Sequence, residues 1–482
     1  MKKKHIVFLF SDQHNGNIVG YGNDRYIRTP TLNKLAEKGT AFNNCYCASP
    51  VCVPSRSAML SGQLPIKTGI FNNFQCLRSD EVTFVHSLSV AGYETVLNGR
   101  MHFIGPDQRH GFEKRLIGDI DLNYPHLPVK IYGEKLEGTD WPCYKSIKYS
   151  GAGHSAVLEY DKDVTNETVK FLKERKNEDR PLFLTVGFYA PHAPYVAPKE
   201  LFDHYYSILP DPEPMTDRLY IEMHPAIKQF YQVRGIENVS VEETKRVRAA
   251  YYGMVEYLDE LIGEIVAQID KTLGLENTII VYGSDHGDAI GENGLFWKQN
   301  LYEGSARVPL VYSSPGLIQE NVLIEENISL LDIGPTFIHY TGAQKLPETD
   351  GISQLPVLTG KFKPSANRVI ISQLADVKGD NPSCMIKKGP WKLIHHTGYD
   401  DVQLFNIQDD PKEKNDLGKD TSYCMIREEL HKEVMRYWDD SQVWKMFYKA
   451  KAHTEIYSKW VKTAKVKGFE EWHCDIDKNY LE

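Results

Sequence analysis

Ile6-Val7-Phe8-Leu9-Phe10 is an apolar run that ends directly in Ser11-Asp12-Gln13-His14. The arrangement recurs further along the chain, where 182–188 precedes Pro191-His192 and 278–282 precedes Ser284-Asp285-His286. Short apolar runs without alternation are typical of strands buried on both faces of a parallel sheet. Because ligands of such sheets bind beyond the carboxyl ends of the strands, these polar residues predict one site at one sheet edge.

The stretches between these runs favour helices. Amphipathic patterns cover 30–39, 82–92, 161–175 and 241–269. Strands that alternate with helices predict an α/β fold, in which a large mixed, mostly parallel sheet is covered by helices on both faces. A chain of 482 residues exceeds a comfortable single core, so a second, smaller domain is expected.

The pattern changes around Asn367. Short strands are predicted over 368–372, 383–387 and 391–395, followed by a helix over 427–437, whereas the tail from Trp444 shows no clear period. We therefore divide the chain into a main α/β domain, 1–365, and a C-terminal α+β subdomain with a tail, 366–482.

The composition excludes several classes of protein. A net charge of -9 argues against nucleic-acid binding, and no apolar run is long enough to span a membrane. Lys2-Lys3-Lys4 precedes an apolar run that is too short for a signal peptide. The eight cysteines lack metal-finger spacing and favour reduced thiols. We expect a cytoplasmic protein, or a periplasmic one if a leader has been removed.

Cys52-Val53-Pro54-Ser55-Arg56 leads into Ser57-Ala58-Met59-Leu60-Ser61-Gly62 and predicts a helix. Pro54 suits the first helical position, and Gly62 offers a stop. The Cys52 thiol then lies at a helix N-terminus, where free N–H groups favour an anion, and Arg56 can face the same anion. A small buried cysteine before an ordinary helix fits these residues equally well.

The pentapeptide resembles the Cys-x-Pro-Ser-Arg signature of type I sulfatases, within the alkaline phosphatase superfamily. The match continues through Met59-Leu60-Ser61-Gly62-Gln63-Leu64-Pro65, and further motifs follow in family order over 5–110, 160–200 and 250–420. The resemblance implies that a maturation enzyme oxidises Cys52 to Cα-formylglycine. Gln403-Leu404-Phe405-Asn406-Ile407 resembles the closing signature of the family, which implies a C-terminal antiparallel sheet beside a helix.

Asp12-Gln13 and Asp285-His286 stand where the family most often carries its Asp-Asp and Asp-Asn metal ligands. The resemblance implies a divalent metal held by Asp12, Gln13, Asp285, His286 and the modified Cys52. One imidazole and one fewer negative charge make a slightly softer ligand set, so calcium is expected first, with manganese or magnesium as alternatives. Taken singly, Asp12 and Asp285 also fit as turn or capping residues.

Three further motifs carry cations and acid–base groups. Asn98-Gly99-Arg100-Met101-His102 resembles the family's Gly-Lys-x-His, Pro191-His192-Ala193-Pro194 matches Pro-His-x-Pro, and Lys298 precedes Tyr302-Glu303-Gly304 as the family lysine does. The resemblance assigns Arg56 and Arg100 to the sulfate and His102 to a base that helps release it. His192 and Lys298 would protonate the departing alcohol.

These motifs predict a sulfatase that acts on a small sulfated saccharide, because a leaving group that needs protonation suits a sugar alcohol. The alternatives are a phosphonate monoester or phosphodiester hydrolase, a choline-sulfatase-like enzyme, and a non-catalytic anion-binding protein with an unmodified Cys52. A homo-oligomer is possible. Residues 115–155 and 200–240 match nothing in the family and are expected to shape the substrate pocket. Weaker pocket candidates are His110, Tyr124, His126, Trp141, His154 and Arg234.

Overall fold

The computed structural model describes residues 3–22, 24–121, 136–176, 180–375, 381–465, 472 and 478–481. Tyr124 and His126 lie outside these residues. Within them, no helix is both long and apolar enough to cross a lipid bilayer.

The strands, in chain order, are β1 (His5–Asp12), β2 (Gly39–Tyr46), β3 (Glu94–Gly99), β4 (Lys114–Arg115), β5 (Gly151–His154), β6 (Leu182–Pro191), β7 (Val196–Ala197), β8 (Thr278–Ser284), β9 (Ala289–Ile290), β10 (Phe296–Trp297), β11 (Arg307–Ser313), β12 (Val322–Ile324), β13 (Ile328–Ser329), β14 (Val369–Leu374), β15 (Ser383–Lys388), β16 (Trp391–His396), β17 (Val402–Asn406) and β18 (Tyr480–Leu481). The α-helices are Pro30–Glu37, Cys52–Ser61, Pro65–Thr68, Phe84–Val90, Tyr144–Lys148, Ala156–Glu174, Lys199–Ile208, Asp217–Glu222, Pro225–Arg234, Val241–Thr272, Glu303–Ala306, Ile333–Thr341, Leu355–Leu358, Cys424–Val434 and Asp440–Ala464. Short 3-10 helices cover Leu275–Asn277, Glu292–Gly294, Leu330–Asp332 and Thr421–Tyr423.

The main sheet has the strand order β12-β2-β11-β8-β1-β6-β3-β4, and β13 also pairs with β2. Strands β8, β1, β6, β3 and β4 run parallel, whereas β11 is antiparallel to both of its neighbours. The prediction of a mixed, mostly parallel sheet is therefore confirmed.

Helices cover both faces of this sheet, and the side chains of β1 pack against the helices on each face. Val7 and Leu9 belong to one hydrophobic core, with residues of helices Ala156–Glu174 and Val241–Thr272. Ile6, Phe8 and Phe10 belong to a second core, with residues of helices Cys52–Ser61, Phe84–Val90 and Ile333–Thr341. Alternate side chains of a strand point to opposite faces, so an apolar run with no polar interruption is what a doubly covered strand requires.

The C-terminal strands form a separate antiparallel sheet, β14-β15-β16-β17, against which helix Cys424–Val434 packs through Leu430 and Val434. This confirms the smaller α+β unit. Helix Asp440–Ala464 was not predicted, because it buries only Val443, Phe447 and Val461 and so has no apolar stripe to read. At the end of the described chain, β18 pairs with β5 of the main domain. The boundary at residues 365 and 366 stays a prediction.

A buried cluster of charges joins the C-terminal sheet to the main domain. The Lys392 Nζ on β16 lies 3.1 Å from Glu303 Oε1 and 2.8 Å from Glu413 Oε1. Burial raises the pKa of Glu413 to about 7. Burial also acts to raise the pKa of Glu303, but the charges of Lys392 and Arg307 outweigh it and leave that pKa below its usual value. Lys392 thus contacts two buried carboxyl groups at once, and Arg307 adds a second positive charge beside Glu303.

Replacing Lys392 by methionine is expected to lower the free energy of unfolding by about 3–5 kcal/mol, because it removes the cation that contacts the buried carboxyl groups of Glu303 and Glu413. Urea unfolding followed by circular dichroism measures the change. Glu413→Gln is the matched control and should cost clearly less, since the raised pKa already favours the neutral form of that side chain. A loss below about 1 kcal/mol for Lys392→Met would contradict the role of this cluster.

Candidate active site

The central strands bring five predicted site residues to one sheet edge. Asp12 ends β1 and is paired with Pro191, which ends β6 and precedes His192. Ser11 is paired with Ser284, which ends β8 and precedes Asp285. Arg100 and His102 follow β3, the next strand beyond β6. Parallel strands end on the same side of a sheet, and so the chemistry collects there.

Gly187 of β6 allows the chain to reach this edge after β3. A Cβ atom at this position would collide with the carbonyl oxygen of Arg100, whose own N–H donates to Gly187 O at 2.9 Å. The close approach of two backbones is therefore what requires glycine at residue 187.

Helix Cys52–Ser61 carries the cysteine motif to the same edge. Cys52 is its first residue, so Pro54 lies at the third helical position and not at the first, as the sequence had suggested. This difference matters little for the proline, because the N–H groups of the whole first turn lack intrahelical acceptors. Gly62 ends the helix in the left-handed region with a φ of 74°, as predicted.

The Cys52 side chain is fully buried among charged partners. Lys298 Nζ lies 3.0 Å from its Sγ, His286 Nε2 lies 3.2 Å away, and Asp12 Oδ1 lies 3.6 Å away. Burial, with the charge of Asp12, raises the pKa of this thiol to about 12. Since the thiolate is the reactive form of cysteine, the unmodified residue is a poor nucleophile at neutral pH.

Asp12, Cys52, Asp285 and His286 form a compact set of potential metal ligands. One ligand atom from each lies within 4.8 Å of the others. Arg56 donates from Nε to Asp285 Oδ2 at 2.7 Å and from Nη2 to Asp12 Oδ2 at 3.2 Å. It thereby occupies one oxygen of each carboxylate and leaves both Oδ1 atoms beside His286 Nε2, each at 3.7 Å.

The tautomer of His286 suits a metal ligand. Its Nδ1 lies 2.9 Å from the carbonyl oxygen of Gly287, which can only accept, so Nδ1 carries the proton. The lone pair is then on Nε2, which faces the two carboxylates. Metal-binding histidines are commonly fixed in this way by a carbonyl on the second ring nitrogen.

Gln13 completes this set with an oxygen. Its Nε2 donates to Asp288 Oδ2 at 2.7 Å, whereas its Oε1 is buried without a hydrogen-bond partner among the described residues. The residue also has a φ of 68°, held by its N–H, which donates to Asp285 Oδ1 at 3.0 Å. A buried, unsatisfied carbonyl oxygen is rare and needs an explanation, and a divalent cation with oxygen ligands supplies one. These residues therefore fit the metal that the resemblance implies.

Lys298 and His192 form a hydrogen-bonded pair next to Cys52. Lys298 Nζ lies 2.5 Å from His192 Nε2, and His192 Nδ1 lies 2.8 Å from Ala193 O. The carbonyl fixes the proton on Nδ1, so Nε2 accepts from the ammonium group. Burial and the Lys298 charge hold the pKa of His192 well below its usual value. Burial acts to lower the pKa of Lys298, but Cys52 and Asp12 outweigh it and leave that pKa above its usual value. The lysine therefore stays charged.

Arg100 contacts three carboxylates, two of which, Asp119 and Asp121, the sequence did not reveal. Its Nε donates to Asp12 Oδ2 at 2.5 Å, and its Nη1 donates to Asp119 Oδ1 and Asp121 Oδ2, both at 2.8 Å. Asp288, the partner of Gln13, was also missed. Asp119 and Asp121 fall in a segment without family motifs, where the only signal is a pair of acidic residues spaced by one.

The structure thus brings together Asp12, Gln13, Cys52, Arg56, Arg100, His102, His192, Asp285, His286 and Lys298. The weaker candidates occupy other places. Arg234 donates to Gln299 Oε1 at 2.6 Å, beside Lys298, and the Trp141 ring stacks on Phe74 with centroids 6.2 Å apart. His110 packs on Phe103, and His154 lies near Tyr480. Their part in substrate binding stays a prediction.

A cavity of about 1200 Å³ lies elsewhere, between the main domain, the 210–215 segment and the C-terminal sheet. Its lining includes Arg25, Arg248, Glu292 and Lys387 but none of the residues around Cys52. We expect the chemistry at the Cys52 centre, because there Cys52, the cationic side chains and the potential metal ligands are in mutual contact.

Comparison with known proteins agrees with this geometry. Residues 4–343 match the family model described as Sulfatase, and residues 291–440 match the one described as N-sulphoglucosamine sulphohydrolase, C-terminal. A choline-sulfatase of Rhizobium meliloti (strain 1021) is 35% identical over 436 residues, which cover 86% of this chain and 83% of the relative.

Two solved structures share the fold. The phosphonate monoester hydrolase of Agrobacterium radiobacter has a TM-score of 0.76 and 19% identity, over 90% of this chain and 95% of that one. A protein in complex with its substrate D-glucosamine-2-N,6-O-disulfate has a TM-score of 0.72 and 22% identity, over 93% and 99%. The family match, the choline-sulfatase relative and the site around Cys52 together show that this chain belongs to the sulfatase family and is a sulfuric ester hydrolase.

Proposed function

We propose that this enzyme removes sulfate from a small sulfated saccharide, using Cys52 oxidised to Cα-formylglycine and a divalent metal beside it. The observation that carries the proposal is the position of Lys298, whose Nζ lies 3.0 Å from Cys52 Sγ and 2.5 Å from His192 Nε2. These distances support Lys298 as a charged acid next to the point where the ester bond would break. Sugar alkoxides are poor leaving groups, and an acid at that point is what their departure needs.

Cys52 would be modified by a formylglycine-generating enzyme. The hydrated aldehyde supplies an oxygen nucleophile for sulfur, which the buried thiol with a pKa near 12 does not. Asp12, Gln13, Asp285 and His286 would hold the metal, with calcium as the first choice. When bound, the metal supplies positive charge at the sulfate oxygens and favours the ionised nucleophile.

The protein's own side chains hold the reacting groups in position and exclude water from the site. Arg56 donates to the Oδ2 atoms of Asp12 and Asp285 and so would keep their Oδ1 atoms directed at the metal site. His192 accepts a hydrogen bond from Lys298 and thereby aims the ammonium group. Burial of these groups excludes water, which strengthens each charge interaction. Lys298 gives its proton to the alcohol oxygen as the bond to sulfur breaks.

A sulfated saccharide is supported by the disulfated glucosamine that one structural neighbour holds as its substrate. Choline sulfate is the second candidate, since the relative with 35% identity is a choline-sulfatase. Both are esters of alcohols and make the same demand on Lys298. A cytoplasmic location is part of the proposal and is supported by the described cysteines, none of which is paired in a disulfide.

Turnover of four substrate types on one preparation tests the proposal. We expect kcat/KM to be highest for a sulfated monosaccharide, such as glucosamine 6-sulfate, in a panel that includes choline sulfate, 4-nitrophenyl sulfate and a 4-nitrophenyl phosphonate ester. A preference for choline sulfate would favour the second candidate. A phosphonate ester hydrolysed faster than every sulfate would contradict a sulfatase.

Metal removal is expected to destabilise the protein. Calcium at about 100 times its Kd should raise the free energy of unfolding by about 2.7 kcal/mol over the chelated protein, since it binds only the folded state. Differential scanning calorimetry with and without a chelator measures this rise. Asp285→Asn should lose most of it, whereas Asp350→Asn, a half-buried carboxylate that pairs with Lys67, should keep it. An equal rise in both variants would place the metal elsewhere.

A further inference from the structure

Asp288 is a fully buried residue next to the potential metal ligands, two residues after His286. Its Oδ2 accepts two hydrogen bonds, from Gln13 Nε2 at 2.7 Å and from Tyr195 Oη at 2.8 Å. Its Oδ1 has no hydrogen-bond partner among the described residues. Asp288 therefore acts on the predicted metal site through its contact with Gln13.

The Asp288 carboxyl group decides which end of the Gln13 amide remains for a cation. An amide has an oxygen that accepts and a nitrogen that donates, and a half-turn of the group exchanges the two. Because Asp288 Oδ2 already receives the Tyr195 hydroxyl, a proton on this carboxyl group belongs on Oδ1, and Oδ2 is an acceptor in either state. The nitrogen of the amide must therefore face Asp288, which leaves Oε1, buried and without a hydrogen-bond partner in the described chain, for a metal that prefers oxygen.

The backbone of Gln13 is held from two sides. Its N–H donates to Asp285 Oδ1, and its carbonyl oxygen accepts from Tyr251 Oη at 2.6 Å. Tyr251 Oη accepts in turn from the N–H of Asn15 at 2.8 Å. Non-glycine residues persist in the left-handed region, where Gln13 lies, only if their surroundings hold them there. With the backbone fixed in this way, the orientation of the side-chain amide depends on Asp288.

Tyr195 connects Asp288 to the segment that carries His192. It is fully buried and directly follows the Pro191-His192-Ala193-Pro194 motif. Its ring packs edge-to-face on that of Tyr251, with centroids 6.3 Å apart, and Tyr251 in turn contacts Gln13. The two donors to Asp288 thus come from two parts of the site, the predicted ligand Gln13 and the segment after β6.

We propose that Asp288 is a positioning residue, which holds the Gln13 amide so that Oε1, and not Nε2, is presented to the metal. Tyr195 holds Asp288 in the same place. The inference rests on the proposed metal-dependent function and deepens it, because it gives glutamine a reason at a position where the family most often carries aspartate. With an acceptor beside it, an amide offers oxygen to a cation, whereas a carboxylate of the same length would face Asp288 at hydrogen-bond distance and repel it.

Substitutions at residue 288 test whether its effect passes through Gln13. Asp288→Leu removes the acceptor and should weaken calcium binding about 10–100-fold, the range for loss of a group that orients a metal ligand. Asp288→Asn removes the same charge but keeps an acceptor oxygen, so it should lose less than about tenfold. In a Gln13→Met background, where no amide is left to hold, Asp288→Leu should change the affinity by about threefold or less. Isothermal titration calorimetry with calcium chloride and chelator-treated protein gives each Kd.

Two controls accompany these variants. Asp259→Asn changes a buried carboxyl group that accepts from the N–H groups of Thr31 and Leu32, and it should bind calcium as wild type does. Thermal unfolding of the metal-free variants checks that each one is folded. Asp288→Ala, which removes the same acceptor with a smaller side chain, takes the place of Asp288→Leu if leucine prevents folding.

Equal losses in Asp288→Asn and Asp288→Leu would show that the charge of Asp288 matters and its acceptor does not, and would overturn the proposal. A loss of the same size in the Gln13→Met background would overturn it as well, since the effect would then bypass the amide. So would a wild-type protein that binds neither calcium nor manganese. Calorimetry involves no turnover, so a different ester preference would contradict the proposed function and leave this result unchanged.

Discussion

Replacing Cys52 by alanine is expected to lower kcat/KM for any sulfate ester by a factor on the order of 10⁴ or more, because alanine lacks the thiol whose oxidation produces the aldehyde. Cys52 begins a helix whose side chains are all buried, and its Sγ contacts Lys298 and His286. Initial rates of sulfate release, measured at equal protein concentration, give the ratio.

Cys76→Ala is the matched control, since that thiol is exposed and should be dispensable. Thermal unfolding of Cys52→Ala should resemble that of wild type, because the change removes one sulfur atom and no backbone contact. Activity of Cys52→Ala within about tenfold of wild type would exclude Cys52 as the nucleophile.

Replacing Lys298 by alanine is expected to lower turnover by an amount that depends on the leaving group. For a sugar or choline ester the loss should be about 10³-fold, within the range for removal of a general acid, whereas for 4-nitrophenyl sulfate it should be about tenfold or less. The 4-nitrophenolate ion leaves without a proton, while an alkoxide needs one. The ratio of the two losses therefore measures proton donation apart from charge stabilisation.

Lys361→Ala, on the exposed surface, serves as the control and should change neither rate. His192→Ala should follow the pattern of Lys298→Ala more weakly, because His192 aims the ammonium group and is itself neutral. Equal losses on the alkyl and aryl esters in Lys298→Ala would show that this residue orients the substrate and does not protonate the alcohol.

The sequence predicted the central strands and the residues that follow them, because fully buried strands need uninterrupted apolar runs. Parallel pairing brings Asp12, Asp285 and His192 to one edge. Their proximity could therefore be predicted without knowing the conformations of the loops. Pro54 and Gly62 predicted the helix that carries Cys52. Pro54 lies two positions later in the helix than predicted, and proline is tolerated there because the N–H groups of the whole first turn lack intrahelical acceptors.

The site residues that the sequence did not predict lie in irregular segments near the sheet edge, and their positions depend on the path of those segments. Asp119 and Asp121 have no periodic neighbours, and only the path of the chain after β4 shows that they meet Arg100. The unsatisfied oxygen of Gln13 likewise follows from the position of Asp288, three residues past Asp285. Contacts of this kind add partners to residues that motifs alone identify, as Asp119 and Asp121 do for Arg100.

The most direct test of the account is the mass of the peptide that contains Cys52, taken from an active preparation. We predict the mass that corresponds to replacement of the CH₂–SH group by an aldehyde, together with capture of this peptide by an aldehyde-reactive hydrazide and loss of activity in proportion to capture. An unmodified Cys52 thiol in protein that hydrolyses sulfate esters at full rate would contradict the account.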